Sequence, residues 1–140
     1  MTFLVDTSVW SLALRRSKPS GFAEVQALQS ALLEGEEVAT TGVILLELLR
    51  GAVPASGKEA IRKAFDSLKF VEPSRADYED AAAIANGCRA KGVQLGSVDA
   101  LLIQLCVTHD LVLLTTDRDF ANAARFIDFK LWQGGSLTYD

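Results

Sequence analysis

The chain has 140 residues, of which 49% are hydrophobic and 23% charged, and it carries a formal charge of −4 with a pI of about 5.0. That length suits one domain spanning residues 1–140, large enough to bury roughly two thirds of the surface its unfolded chain exposes. The longest apolar runs fall well short of the ~20 residues that cross a bilayer, so no membrane-spanning segment is expected. The acidic balance is the opposite of a general nucleic-acid coat, so a polyanionic substrate would need local positive charge or a metal ion to attract it.

Read in chain order, Met1 to Asp6 has no basic leader and meets an acid at position 6, so a signal peptide is excluded and a cytoplasmic location is expected. A strand is predicted at 2–5, ending in Asp6, then a helix at 8–14 followed by the basic cluster Arg15, Arg16 and Lys18. Helix 22–34 and strand 37–40 come next. Helix 42–50 carries Glu47 inside Val43-Ile44-Leu45-Leu46-Glu47-Leu48-Leu49. Helix 57–68, strand 69–71 and helix 75–90 precede an apolar helix at 98–108, whose first turn holds Asp99 two residues after Ser97. Strand 111–115 runs into Thr115, Thr116 and Asp117, helix 118–125 holds Asp119, and a last strand covers 129–132. Gly134-Gly135-Ser136 reads as the start of a frayed terminus. Short β-branched runs alternating with helical periods describe a three-layer α/β domain, a parallel sheet of about five strands flanked by helices.

Asp6, Glu47, Asp99 and Asp117 each sit beside residues that build a core. Desolvating a carboxylate costs several kcal/mol unless it is paired, protonated or bound to metal. Four such acids on four elements suggest a shared divalent cation. If the first and fourth strands are neighbours, Asp6 and Asp117 emerge side by side at the carboxyl edge of the sheet, where open parallel sheets bind ligands. Each acid also has a purely structural alternative. Asp6 and Asp117 suit helix caps, Asp99 suits the dipole of its helix, and Glu47 is spaced i,i+3 from Arg50. Asp119 is a possible fifth acid, acting on the others or simply solvated. Ser8 and Thr115 are hydroxyls able to orient the carboxylates, and Arg15, Arg16 and Lys18 form either a solvated face or a contact for a phosphate backbone. The one histidine, His109, reads as a solvated turn residue, which excludes two-histidine ribonuclease chemistry within one chain. Cys88 and Cys106 read as reduced core thiols.

Taken together, Leu4-Val5-Asp6-Thr7-Ser8-Val9-Trp10, Glu47-Leu48-Leu49-Arg50-Gly51, Val98-Asp99-Ala100-Leu101-Leu102 and Leu114-Thr115-Thr116-Asp117-Arg118-Asp119-Phe120 resemble the PIN-domain nucleases, and within them the VapC-type toxins of toxin-antitoxin pairs. The resemblance implies a PIN-like fold and a Mg²⁺- or Mn²⁺-dependent endoribonuclease whose catalytic, metal-binding acids are Asp6, Glu47, Asp99 and Asp117. It also implies an RNA substrate, a cognate VapB-type antitoxin and a homodimer. Before Asp99 the chain reads Gly92-Val93-Gln94-Leu95-Gly96-Ser97, where many relatives carry a proline or another acid, which bears on the fifth ligand. A housekeeping PIN nuclease of RNA maturation and a non-catalytic PIN-fold interaction domain are the alternatives. A phosphoryl-accepting receiver lacks its Asp at the end of the third strand, where Val71-Glu72-Pro73 stands, and a haloacid-dehalogenase phosphatase lacks the second acid of D-x-D after Asp6.

Overall fold

The computed structural model describes residues 1–14, 21–51, 54–134 and 136–139. Its elements run β1 (Phe3–Val5), α1 (Thr7–Ala13), α2 (Ala23–Leu33), β2 (Val38–Thr40), α3 (Gly42–Leu49), α4 (Ala55–Phe65), β3 (Lys69–Phe70), α5 (Arg75–Ala90), α6 (Ser97–His109), β4 (Val112–Leu114), α7 (Asp119–Ala124), β5 (Lys130–Gln133) and β6 (Ser136–Tyr139). The sheet order is β3-β2-β1-β4-β5-β6. The first five strands in sequence are mutually parallel, and β6 alone runs antiparallel, against β5.

Every residue of β1, β2 and β4 is buried, because a parallel sheet covered by helices on both faces has no wet side. Sheet order runs outward from β1 to β2 and β3, then returns to β4 on the other flank of β1. Right-handed crossovers then lay α1 to α4 over one face and α5 to α7 over the other. The order reverses between β1 and β4, whose register pairs Phe3 with Val112 and Val5 with Leu114. Crossover helices from both faces therefore approach the carboxyl ends of these two strands. Leu4, Val5, Ile44, Ile103, Leu113, Leu114 and Phe120 lie fully buried in the core, and Trp10 packs on Phe65 with ring centroids 5.0 Å apart.

All seven predicted helices and all five predicted strands are present, with ends displaced by up to three residues: α4 starts at Ala55 and stops at Phe65. The expectation of a frayed terminus at Gly134-Gly135-Ser136 is incorrect. Gln133 pairs with Ser136 and Lys130 with Tyr139, and Gly134 takes a φ of 54°, as a tight hairpin turn requires. A Gly-Gly pair between two strand-forming runs is itself a hairpin signal, and it was the edge position that disguised it. Cys88 and Cys106 are buried free thiols, and His109 is exposed at the end of α6, both as expected. Among the described residues no helix is long and apolar enough to cross a membrane.

Candidate active site

Asp6 stands where β1 ends and α1 begins, and its backbone N–H donates to the Leu114 carbonyl at 2.9 Å, which locks it to β4. The side chain is only 7% exposed. One carboxylate oxygen accepts from the Thr7 backbone N–H at 2.8 Å; the other accepts from the hydroxyls of Ser8 at 2.9 Å and Thr115 at 2.8 Å. Ser8 Oγ in turn accepts from the Thr116 N–H at 3.2 Å. Burial drives the Asp6 carboxyl above its ordinary pKa and Asp117 adds to that, against the pull of the three hydrogen bonds. Asp6 is thus a helix cap, as its structural alternative held, and also a carboxylate that its fold orients at some electrostatic cost.

Glu47 comes from α3 on one face of the sheet. Its carboxylate accepts from Thr7 Oγ1 at 2.7 Å, and among the described residues no ion pair joins it to Arg50. Asp99 comes from the first turn of α6 on the other face. Desolvation, with the charges of Asp6, Asp117, Asp119 and Glu47 in that order behind it, raises the Asp99 carboxyl from 3.8 to about 6. One half-buried group therefore senses all the other acids singled out in the sequence. Asp117 follows β4; its N–H donates to Thr115 Oγ1 at 3.0 Å, and its Oδ1 accepts from the Asp119 N–H at 2.9 Å. Asp99, Asp117 and Asp119 each offer a carboxylate oxygen within 4.8 Å of the others.

The fold divides the acids into a triad, Asp99, Asp117 and Asp119, and a pair anchored by hydroxyls, Asp6 and Glu47. Asp119, held in the sequence only as a fifth candidate, lies inside the tightest group. Among the described residues no Lys or Arg forms an ion pair with any of the five. Uncompensated carboxylates this close repel one another, and an all-oxygen donor set is the kind that Mg²⁺ and Mn²⁺ take. The residues present therefore fit a divalent cation. Ser8 and Thr115 orient Asp6, and Thr7, which sequence reasoning passed over as a cap neighbour, does the same for Glu47. Arg15, Arg16 and Lys18 lie outside the described residues.

Asp77 is a buried acid that the sequence reading did not single out. It receives the Ser74 N–H at 2.9 Å in a reciprocal capping box at the start of α5. Gln104 Nε2 at 3.3 Å and Thr108 Oγ1 at 3.2 Å donate to its other oxygen. These bonds, the Ser74 N–H foremost, hold its carboxyl below the ordinary pKa. Its work is to bolt α5 to α6, and the spacing Ser74-x-x-Asp77 before an Ala-rich helical run was the signal available.

Comparison with known proteins gives a family and a fold. The PIN domain family model matches residues 3–126. Ribonuclease VapC13 of Mycobacterium tuberculosis is 29% identical over 123 residues, covering 84% of this chain and 91% of that protein. The crystal structure of VapBC2 from Rickettsia felis bound to a DNA fragment from their promoter superposes with a TM-score of 0.73 at 15% identity, covering 94% of this chain and 98% of the other. A toxin-antitoxin complex from Klebsiella pneumoniae gives 0.61 at 22% identity, over 84% of this chain and 89% of the other. At such identities the solved structures speak to the fold alone.

Proposed function

The chain belongs to the PIN domain family, and from that membership we propose that it is a metal-dependent endoribonuclease, the toxin of a VapBC-type pair. The observation that carries the chemistry is the convergence of Asp6, Glu47, Asp99, Asp117 and Asp119 at the β1/β4 switch point without a neutralising cation among the described residues. We assign Asp6, Glu47, Asp99 and Asp117 as the acids that hold the ion, with Asp119 close enough to join them. A bound Mg²⁺ or Mn²⁺ supplies positive charge for the scissile phosphodiester and the acidity that makes water a nucleophile at neutral pH. The protein's own part is placement. Ser8, Thr115 and the Thr7 N–H fix the Asp6 carboxylate, Thr7 Oγ1 fixes Glu47, and the Asp119 N–H fixes Asp117. Carboxylates held in this way would keep the ion in one place, where it could take a phosphate oxygen of the substrate. Hydrolysis by water leaves 5′-phosphate and 3′-hydroxyl ends, whereas attack by the ribose 2′-hydroxyl would not.

The relative named Ribonuclease VapC13 supports the reaction and the toxin reading, and an antitoxin partner follows from that reading. A partner segment carrying Arg or Lys would find charge complementarity among these acids and compete with the metal. The test is cleavage of end-labelled RNA by the purified chain. Mn²⁺ or Mg²⁺ should support cleavage and EDTA abolish it, and Asp6→Asn, Glu47→Gln, Asp99→Asn and Asp117→Asn should each lower the rate by orders of magnitude with the far-UV spectrum intact. Full activity in Asp6→Asn or Asp99→Asn would overturn the assignment. Induced alone in cells the chain should arrest growth, and harmless expression of folded protein would favour a housekeeping nuclease.

A further inference from the structure

A second cluster lies beside the acids, between the end of α5 and α7. A groove of about 460 Å³ is lined by Lys91, Gln94, Asp119, Asn122, Arg125 and Phe126, among others. Asp119 is common to this groove and to the acid triad, so the two are continuous. Phe126 is 40% exposed. The Lys91 ammonium stands 5.9 Å and the Arg125 guanidinium 5.4 Å from the centroid of its ring. Neither cation has a carboxylate partner among the described residues. On a chain of net charge −4, these two cations share one aromatic ring beside an acid cluster.

The local backbone makes this gathering definite. Gly92 takes a φ of 83°, and the Val93 N–H returns to the Cys88 carbonyl at 2.9 Å. The turn that closes α5 thereby carries Lys91 toward the loop leading to Asp99. From the other side, α7 starts at Asp119 and hands over to Arg125, and at ~1.5 Å per residue its six-residue length puts Arg125 about 9 Å along the axis from Asp119. A strand whose scissile phosphate sits at the acids would pass this groove with its neighbouring nucleotides.

We propose that the Lys91–Arg125–Phe126 groove is the subsite that holds single-stranded RNA next to the scissile phosphate. Lys91 and Arg125 neutralise backbone phosphates, the ring of Phe126 keeps both cations positioned and offers a surface to an unstacked base, and the amides of Gln94 and Asn122 face the base edges. This rests on the nuclease reading above but concerns different residues. In single-stranded nucleic acid each phosphate contact contributes about 0.7 to the slope of log K against log salt, so two contacts are worth about 25-fold in affinity between 1 M and 0.1 M salt.

The test is RNA binding by fluorescence anisotropy at several salt concentrations in EDTA, together with Mn²⁺-induced thermal stabilisation and cleavage, for wild type, Lys91→Ala/Arg125→Ala and a control pair on α4, Lys58→Ala/Lys63→Ala. In the groove variant the salt slope should fall by about 1.4, affinity at 0.1 M salt should drop about 25-fold and cleavage should become subsaturated, while stabilisation by Mn²⁺ stays as in wild type. The α4 control should keep the wild-type slope. A groove variant with wild-type slope and affinity, or an α4 control that loses as much, overturns the subsite and leaves the nuclease reading standing. A wild type that takes up Mn²⁺ yet neither binds nor cleaves RNA overturns both.

Discussion

The acid cluster should make the metal-free protein less stable at neutral pH than its Asp99→Asn variant. Asp99 titrates at about 6 in the folded chain against 3.8 for an ordinary aspartate. A gap of that size corresponds to ~3 kcal/mol between its two protonation states. The carboxyl is half-buried, and screening by water leaves roughly half of this, ~1.5 kcal/mol. Its favourable position in the first turn of α6 returns about 0.5 kcal/mol, so the net cost of the charge is ~1 kcal/mol. The sign follows from proton binding. A raised folded pKa means that the folded state holds the extra proton, so the stabilisation is complete below pH 3.8 and is lost as pH rises through about 6. In EDTA at pH 7.5, Asp99→Asn should therefore melt about 2–5 °C above wild type, and near pH 4 the two should converge. Excess Mn²⁺ should reverse the order: at 100 times its Kd it adds about 2.7 kcal/mol to the wild type and much less to the variant. Calorimetry at both pH values, with and without metal, decides the matter. A variant that melts below wild type at pH 7.5 in EDTA, or a difference that does not change with pH, would refute the electrostatic argument.

Thr115→Val removes the hydroxyl that donates to Asp6 and accepts from the Asp117 N–H; Mn²⁺ affinity, measured by calorimetric titration, should weaken about 10- to 100-fold while the fold persists. Asp77→Ala strips partners from Ser74, Gln104 and Thr108 and should lower the urea-derived unfolding free energy by about 1–3 kcal/mol at pH 7. Because the folded Asp77 pKa is depressed, that loss should be present above the ordinary carboxylate value and shrink as the pH falls below it.

The sequence displayed the elements well and their arrangement poorly. Apolar runs ended by Asp6 and Asp117 marked β1 and β4; the leucines around Glu47 pointed to a buried helix, yet only Ile44 and Leu48 of α3 are buried and Leu46 is 61% exposed, because α3 lies on the sheet with one stripe and shows the rest to solvent. That β1 and β4 are neighbours is a consequence of crossover direction, which local patterns do not encode, and the convergence of Asp6 with Asp117 depended on it. Asp119 was legible as an acid but not as a member of the triad, since its place is set by the turn in which its own N–H donates to the Asp117 carboxylate. The groove of Lys91 and Arg125 was illegible for a simpler reason. Its members are separated by more than thirty residues in the chain, and a single exposed lysine, arginine or phenylalanine carries no signal until the α5 and α7 ends are brought together.

Asp6 and Asp77 show where the sequence argument from buried acids stops and what takes over. Both are buried aspartates at helix starts, and both accept from a backbone N–H and from two side-chain donors. Burial alone assigns them the same role. Their pKa values move in opposite directions, Asp6 up and Asp77 down. At Asp77 the hydrogen bonds outweigh desolvation and no other acid adds to it; at Asp6 desolvation prevails and Asp117 compounds it. A carboxylate that the fold satisfies strengthens the fold, and Asp77 ties two helices. A carboxylate that the fold orients, buries and leaves among like charges lowers stability unless something positive arrives. On that difference Asp77 belongs to the scaffold, and Asp6 is the acid we propose for the ion site.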